Sequence, residues 1–250
     1  MYRPDSRVLI LAVLLAVMCL AVSPASAAFV NLTPAGGNGT TSAGSAVLSD
    51  LIGDPNGGVI VGDKVFTGFA YSRIGDMPQP TAVNVLGIKD ASGNWGITFH
   101  GAFLDLPGGG PSDALIRYMV EVAFLEAQRG IKISDAHLDI HSVGAGDEGF
   151  FSVDESFAGR NETLNAFFST LGPTTPPADA QLSDATDFVP PTIKLNVTKD
   201  ILAIAADNST QPTRATAIDQ SFSQTPEPTA MVLFGLSAMA LVNVGRRRRG

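Results

Sequence analysis

Between residues 58 and 223, apolar residues alternate with small or polar ones at a period of two, and turn-forming residues break the pattern every eight to fifteen positions. Such a pattern gives a strand one buried face but gives a helix no continuous apolar side, because helical side chains recur only every ~3.6 residues. Val65, Thr67, Phe69 and Tyr71 make one stripe, Trp95, Ile97, Phe99, Gly101 and Phe103 a second, and Ile193, Leu195 and Val197 a third. Bends are expected at Asp54 to Gly58, Asp90 to Asn94, Pro107 to Pro111 and Gly144 to Asp147, where Gly, Pro, Asn and Asp supply positive or fixed φ. Short strands at this spacing predict an all-β chain folded as an antiparallel β-sandwich, of immunoglobulin-like or jelly-roll-like type.

One stretch fits two patterns. Leu115, Ile116, Met119, Val120, Ala123 and Phe124 would line a helix capped by Ser112 or Asp113 and stopped at Gly130. Ile116, Tyr118, Val120, Val122 and Phe124 would equally line a strand with Arg117 and Glu121 outward, and the surrounding sheet signals favour the strand. Residues 170–180, with Pro173, Pro176 and Pro177, read as a loop, and the Gly-, Ser- and Thr-rich residues 28–45 as a flexible lead-in or an edge segment.

The two ends follow different rules. Arg3 and Arg7 precede an apolar run from Val8 to Val22, and Ala25-Ser26-Ala27 offers the small residues that a signal peptidase accepts. Ser23 and Pro24 break the run and argue against a retained span, and Met18 is too bulky for lipoprotein processing at Cys19. At the other end, Pro226, Glu227 and Pro228 lead into a predominantly apolar run of 16 residues, Thr229 to Val244, and then Arg246, Arg247, Arg248 and Arg249. As a helix that run would cover about 24 Å, against a hydrocarbon layer of about 30 Å. A span so short makes a provisional anchor. The arginines resist transfer and stay cytoplasmic, which leaves the preceding chain outside the inner membrane. The expected organisation is a signal peptide at 1–27, an extracytoplasmic body at 28–224 and a tail at 225–250, with a signal helix and a single transmembrane helix flanking the sandwich.

Charge and cysteine content limit what the body can do. Six of the 16 Lys and Arg and two of the 24 Asp and Glu lie in the two ends, which leaves ten cations against 22 acids, a net −12. That excess repels nucleic acid, so no nucleic-acid partner is expected. Cys19, the chain's one cysteine, lies in the leader, so the body has no thiolate chemistry, disulfide or cysteine-bound zinc available to it.

Pro-Glu-Pro, a short apolar span and a terminal arginine cluster, paired with an export leader, resemble the PEP-CTERM class of exported bacterial proteins. The resemblance implies recognition of Pro226, Glu227 and Pro228 by an exosortase, a membrane-embedded cysteine protease, after a signal peptidase has acted at the other end. Gly62-Asp63-Lys64-Val65-Phe66 and Leu106-Pro107-Gly108-Gly109-Gly110-Pro111-Ser112-Asp113-Ala114 also resemble uncharacterised bodies of that class. The class further implies a link to envelope or capsule polysaccharide.

Within the body, Asp135-Ala136-His137-Leu138-Asp139-Ile140-His141 would place two carboxylates and two imidazoles on one strand face. Neighbours on such a face stand about 7 Å apart, so a metal would need further ligands from an adjacent strand, and a solvated polar face explains the pattern as well. Asp54, Asn56 and Asp63, and separately Asp147, Glu148, Asp154 and Glu155 around Phe150 and Phe151, suggest calcium loops or hairpins with solvated acids; the latter reading is preferred. No Gly-x-Ser-x-Gly elbow or Walker-type phosphate loop occurs, and His100 alternates away from the apolar stripe of its strand. No catalytic, cofactor or metal residues are therefore assigned, calcium remaining a candidate ligand.

The expected role is non-enzymatic: an exported, transiently anchored protein of the cell envelope or medium with a structural, adhesive or polysaccharide-binding body. The alternatives are an extracellular glycan hydrolase using carboxylates and a calcium-dependent binding module.

Overall fold

A computed structural model describes residues 29–34, 44–54, 57–170 and 179–225. The leader, the apolar tail, Asn56 and residues 171–178 of the proline-rich stretch lie outside them, so the expected terminal helices are not described. The strands are β1 (Val30–Asn31), β2 (Ser45–Val47), β3 (Gly58–Val61), β4 (Lys64–Ile74), β5 (Asn84–Lys89), β6 (Trp95–Asp105) and β7 (Ser112–Val122). They continue as β8 (Ile133–His141), β9 (Phe150–Phe157), β10 (Thr163–Ser169), β11 (Asp179–Gln181), β12 (Ser183–Thr192), β13 (Lys194–Ile204) and β14 (Thr213–Phe222). Two short helices, α1 (Leu48–Leu51) and α2 (Phe124–Gln128), and a 3-10 turn at Pro80–Ala82 complete the described elements.

The strands form two sheets packed as a sandwich, one of eight strands in the order β1-β3-β4-β7-β13-β9-β10-β11 and one of six in the order β12-β8-β14-β6-β5-β2. All neighbours run antiparallel except β1 and β3, where Val30 and Asn31 lie parallel to Val59 and Ile60. Aromatic rings join the layers: Phe66 meets Phe222 at 6.2 Å between centroids, Phe99 meets Tyr118 at 5.7 Å, and Phe157 meets Phe188 edge-on at 4.9 Å. Each ring pair adds to the burial of its own area, by about 0.5–1.5 kcal/mol.

The alternation in β6 is as expected, with Ile97, Phe99 and Phe103 fully buried and His100 exposed. Residues 112–122 are a strand, and Ile116, Tyr118, Val120 and Val122 face the core. Phe124 leaves that stripe: after Ala123 the chain turns into α2 and the ring stands 73% exposed. The stripe read through β4 is corrected as well. A bulge between Thr67 and Ala70, made at Gly68 with φ +65°, shifts the alternation by one residue. Before it Lys64 and Phe66 point inward; after it Phe69 does, so Val65 and Thr67 do not share a face with Phe69. Of the third stripe, Leu195 and Val197 are buried while Ile193, at the bend between β12 and β13, is half exposed.

The two body motifs are structural. Gly62, with φ +60°, is the first residue of the two-residue loop joining β3 and β4, and a Cβ there would stand 2.3 Å from the Trp95 ring. In the second motif Ser112 Oγ donates to Asp105 Oδ1 at 2.6 Å and accepts the Asp76 N–H at 2.8 Å, while Asp105 Oδ2 accepts the Ala205 N–H at 2.7 Å. This closes the crossover from β6 to β7.

The described chain ends on the sandwich. Gln224 bridges to Ile133 and accepts from Lys64 Nζ at 3.2 Å, and Thr225 donates its N–H to the Lys132 carbonyl at 2.8 Å and accepts the Lys132 N–H on its hydroxyl.

Candidate functional site

The histidine strand is β8, and its alternation holds: Ala136, Leu138 and Ile140 are buried, and Asp135, His137, Asp139 and His141 lie on the outer face of the six-stranded sheet. The neighbouring strand β14 sets the geometry, with Asp219 opposite Asp139 and Ser221 opposite His137. His141 Nε2 is 3.0 Å from Asp219 Oδ2, and Asp219 Oδ1 accepts from Thr98 Oγ1 at 2.6 Å. His137 Nε2 is 3.1 Å from Asp135 Oδ1, which also accepts the Ser223 N–H at 3.0 Å. Each imidazole thus leans on its own carboxylate. Among the described residues no three of His, Cys, Asp and Glu converge as a metal would need.

Asp139 sits among these groups. Burial pushes its carboxyl above the ordinary value, Asp219 and Asp90 push the same way, and His141 and His137 oppose them. Across the sheet Asp90 shows the reverse balance. Burial works to raise it, but hydrogen bonds from Ser221, Asn94 and Ser92 outweigh that and hold it low. The face is therefore a row of hydrogen-bonded carboxylates and imidazoles.

The described residues of the suspected acidic loops have separate surroundings, and Asn56 lies outside the described residues. Asp63 is engaged with Lys64 Nζ at 2.8 Å, and Asp54 lines a cavity of about 270 Å³ together with Val30, Ser45, Asp50 and Leu51. Asp147 and Glu148 form a turn whose Gly149 N–H donates to Thr170 Oγ1, and Asp154 accepts from Asn165. A second cavity, of about 360 Å³, is lined by Gly159, Arg160, Asn161, Glu162, Val189 and Pro190. Neither cavity is lined by the histidine face.

Glu155 overturns its reading as a solvated acid. It follows Phe151 and Val153 in phase and is buried, with Phe157 after it. Lys199 Nζ, also fully buried, donates to Glu155 Oε2 on the adjacent strand and to Gln220 Oε1 from the opposite sheet. Burial lowers the Lys199 pKa and raises that of Glu155, their mutual attraction opposing both shifts. Glu155 Oε1, Gln220 Nε2 and the Tyr118 hydroxyl have no hydrogen-bond partner, a cost of about 1–3 kcal/mol for each such group. The sequence carried a usable signal, because Glu155 keeps the period of Val153 and Phe157, and Lys199 that of Val197 and Ile201.

Residues 224–249 match the family described as the PEP-CTERM protein-sorting motif, which bears out the resemblance of the tail. Pro226, Glu227, Pro228 and Arg246 to Arg249 all fall inside the match and outside the described residues. Among the described residues no helix is long and apolar enough to cross a membrane. No curated protein matches the chain. A solved structure described as "Structural basis for the promiscuous specificity of the carbohydrate-binding modules from the beta-sandwich super family" aligns at 10% identity with a TM-score of 0.24, covering 64% of this chain and 57% of the other.

Proposed function

We propose that the chain is exported, held in the inner membrane by residues 229–244, and cut near Pro226-Glu227-Pro228 by an exosortase, so that a non-enzymatic sandwich reaches the cell surface or the medium. The observation that carries this reading is the sorting-motif match over residues 224–249. The body serves as an envelope component whose contacts are structural, adhesive or with polysaccharide, and the outer face bearing Asp135, His137, Asp139 and His141 is its contact surface. Fixed carboxylates and imidazoles there suit the hydroxyls of a glycan.

The test is fractionation. Glu227→Ala should leave the body in the membrane fraction of cells that release the wild-type protein, read by immunoblot of membranes, surface washes and medium. Equal release of both proteins would refute recognition of the motif. A glycan hydrolase remains the second reading, favoured by the raised carboxyl of Asp139 opposite Asp219 on the neighbouring strand.

A further inference from the structure

We propose that Lys199 and Gln220 become joined by an intramolecular isopeptide bond, formed by the chain on itself with Glu155 as proton carrier. The inference rests on the core and is independent of the sorting reading.

Three side chains meet between the sheets. Lys199 is on β13 and Glu155 beside it on β9, both in the eight-stranded sheet, while Gln220 comes from β14 in the six-stranded sheet. All three are essentially inaccessible, at 0%, 2% and 0% exposure. Lys199 Nζ contacts one oxygen of each partner, so the amine stands against the carbonyl oxygen of Gln220, the atom bonded to the carbon it would attack, and directly against a group that can take its proton.

The step balances without a further reactant. Nζ passes a proton to Glu155, and the freed lone pair attacks Gln220 Cδ. The Nζ–Cδ bond forms, the Cδ–Nε2 bond breaks, and Nε2 leaves as ammonia with protons supplied by the attacking nitrogen and returned through Glu155. Nothing is oxidised or reduced. An amine and an amide held in contact react as though at very high concentration, and a core closed to water protects the intermediate from hydrolysis. Burial, which disfavours the ammonium at Lys199 and the carboxylate at Glu155, moves the proton in the needed direction.

The reaction also removes what the fold leaves unsatisfied. Gln220 Nε2, the departing atom, has no partner, and neither has Glu155 Oε1. Afterwards a neutral amide replaces the buried cation, and a protonated Glu155 has an amide oxygen to donate to. The product is a covalent tie between the sheets in a body whose sequence holds no cysteine after residue 19.

The test is peptide mapping by mass spectrometry on the protein as recovered from its host. Trypsin should fail to cut after Lys199, and fragmentation should reveal a branched peptide joining Lys199 to Gln220, lighter than its two arms by one ammonia. Glu155→Gln keeps the size and hydrogen bonding but not the acid–base function, and should give the two linear peptides, as should Lys199→Arg. Linear peptides with normal cleavage after Lys199 in the wild type would overturn the proposal whether or not the variants fold. So would a branched peptide through Glu155 lighter by one water, or a Glu155→Gln protein still fully cross-linked.

Discussion

Asp139, on β8, and Asp90, in the turn after β5, respond to pH in opposite senses. Burial, with Asp219 and Asp90 nearby, raises the Asp139 pKa, so the folded protein holds that proton more tightly than the unfolded chain does. Its contribution is fully present below the unfolded value and is lost as pH rises through the raised folded one. Asp139→Asn is therefore expected to raise the melting temperature at neutral pH and to leave it nearly unchanged in acid, as thermal melts across that range would register. Asp90, held low by Ser221, Asn94 and Ser92, supplies stability above its unfolded value that is lost as pH falls. Asp90→Asn should accordingly lower the neutral melting temperature; a drop of equal size in both variants would mean that the assignment of Asp139 is mistaken.

The hairpin from β3 to β4 shows what an element demands of its sequence. Gly62 combines a left-handed φ with a backbone pressed against Trp95, the chain's one tryptophan, so Gly62→Ala meets both conformational strain and a clash. A loss of about 1–3 kcal/mol is expected. Denaturant melts would measure it, and a change in tryptophan emission would place the disturbance at the hairpin. Strand β7 and the stretch of β8 from Ala136 to Ile140 keep an unbroken alternation and could be read from sequence, because nothing in them shifts the phase. Strand β4 could not, since a single left-handed glycine, Gly68, inserts a residue into the pattern, and period counting cannot see a φ angle. Phe124 was misplaced for a related reason: the strand ends at Val122, yet the apolar run continues. The histidine face was legible from the same alternation that hid the buried cluster, because Lys64, Glu155 and Lys199 occupy inward positions where charged residues are assigned to water by default.

At the scale of the molecule, the 22 acids and ten cations between residues 28 and 225 favour a self-repelling particle, so ligand binding would have to be local and directional. The purified protein is expected to bind hydroxyl-rich envelope glycans from a panel, and Asp139→Ala combined with His141→Ala to weaken that binding roughly tenfold, the effect of losing about 1.4 kcal/mol. Shortened glycans among the products would favour the hydrolase reading, and no retention on any glycan would remove polysaccharide from the proposed role.

The docking of Thr225 on Lys132 leaves no slack before Pro226. If the proposed cut near Pro226 requires the protease to grip the residues before it, Thr225 and Gln224 would first have to leave Lys132, Ile133 and Lys64. Under the proposed processing, the pace of release would follow how often that margin of the sandwich frays.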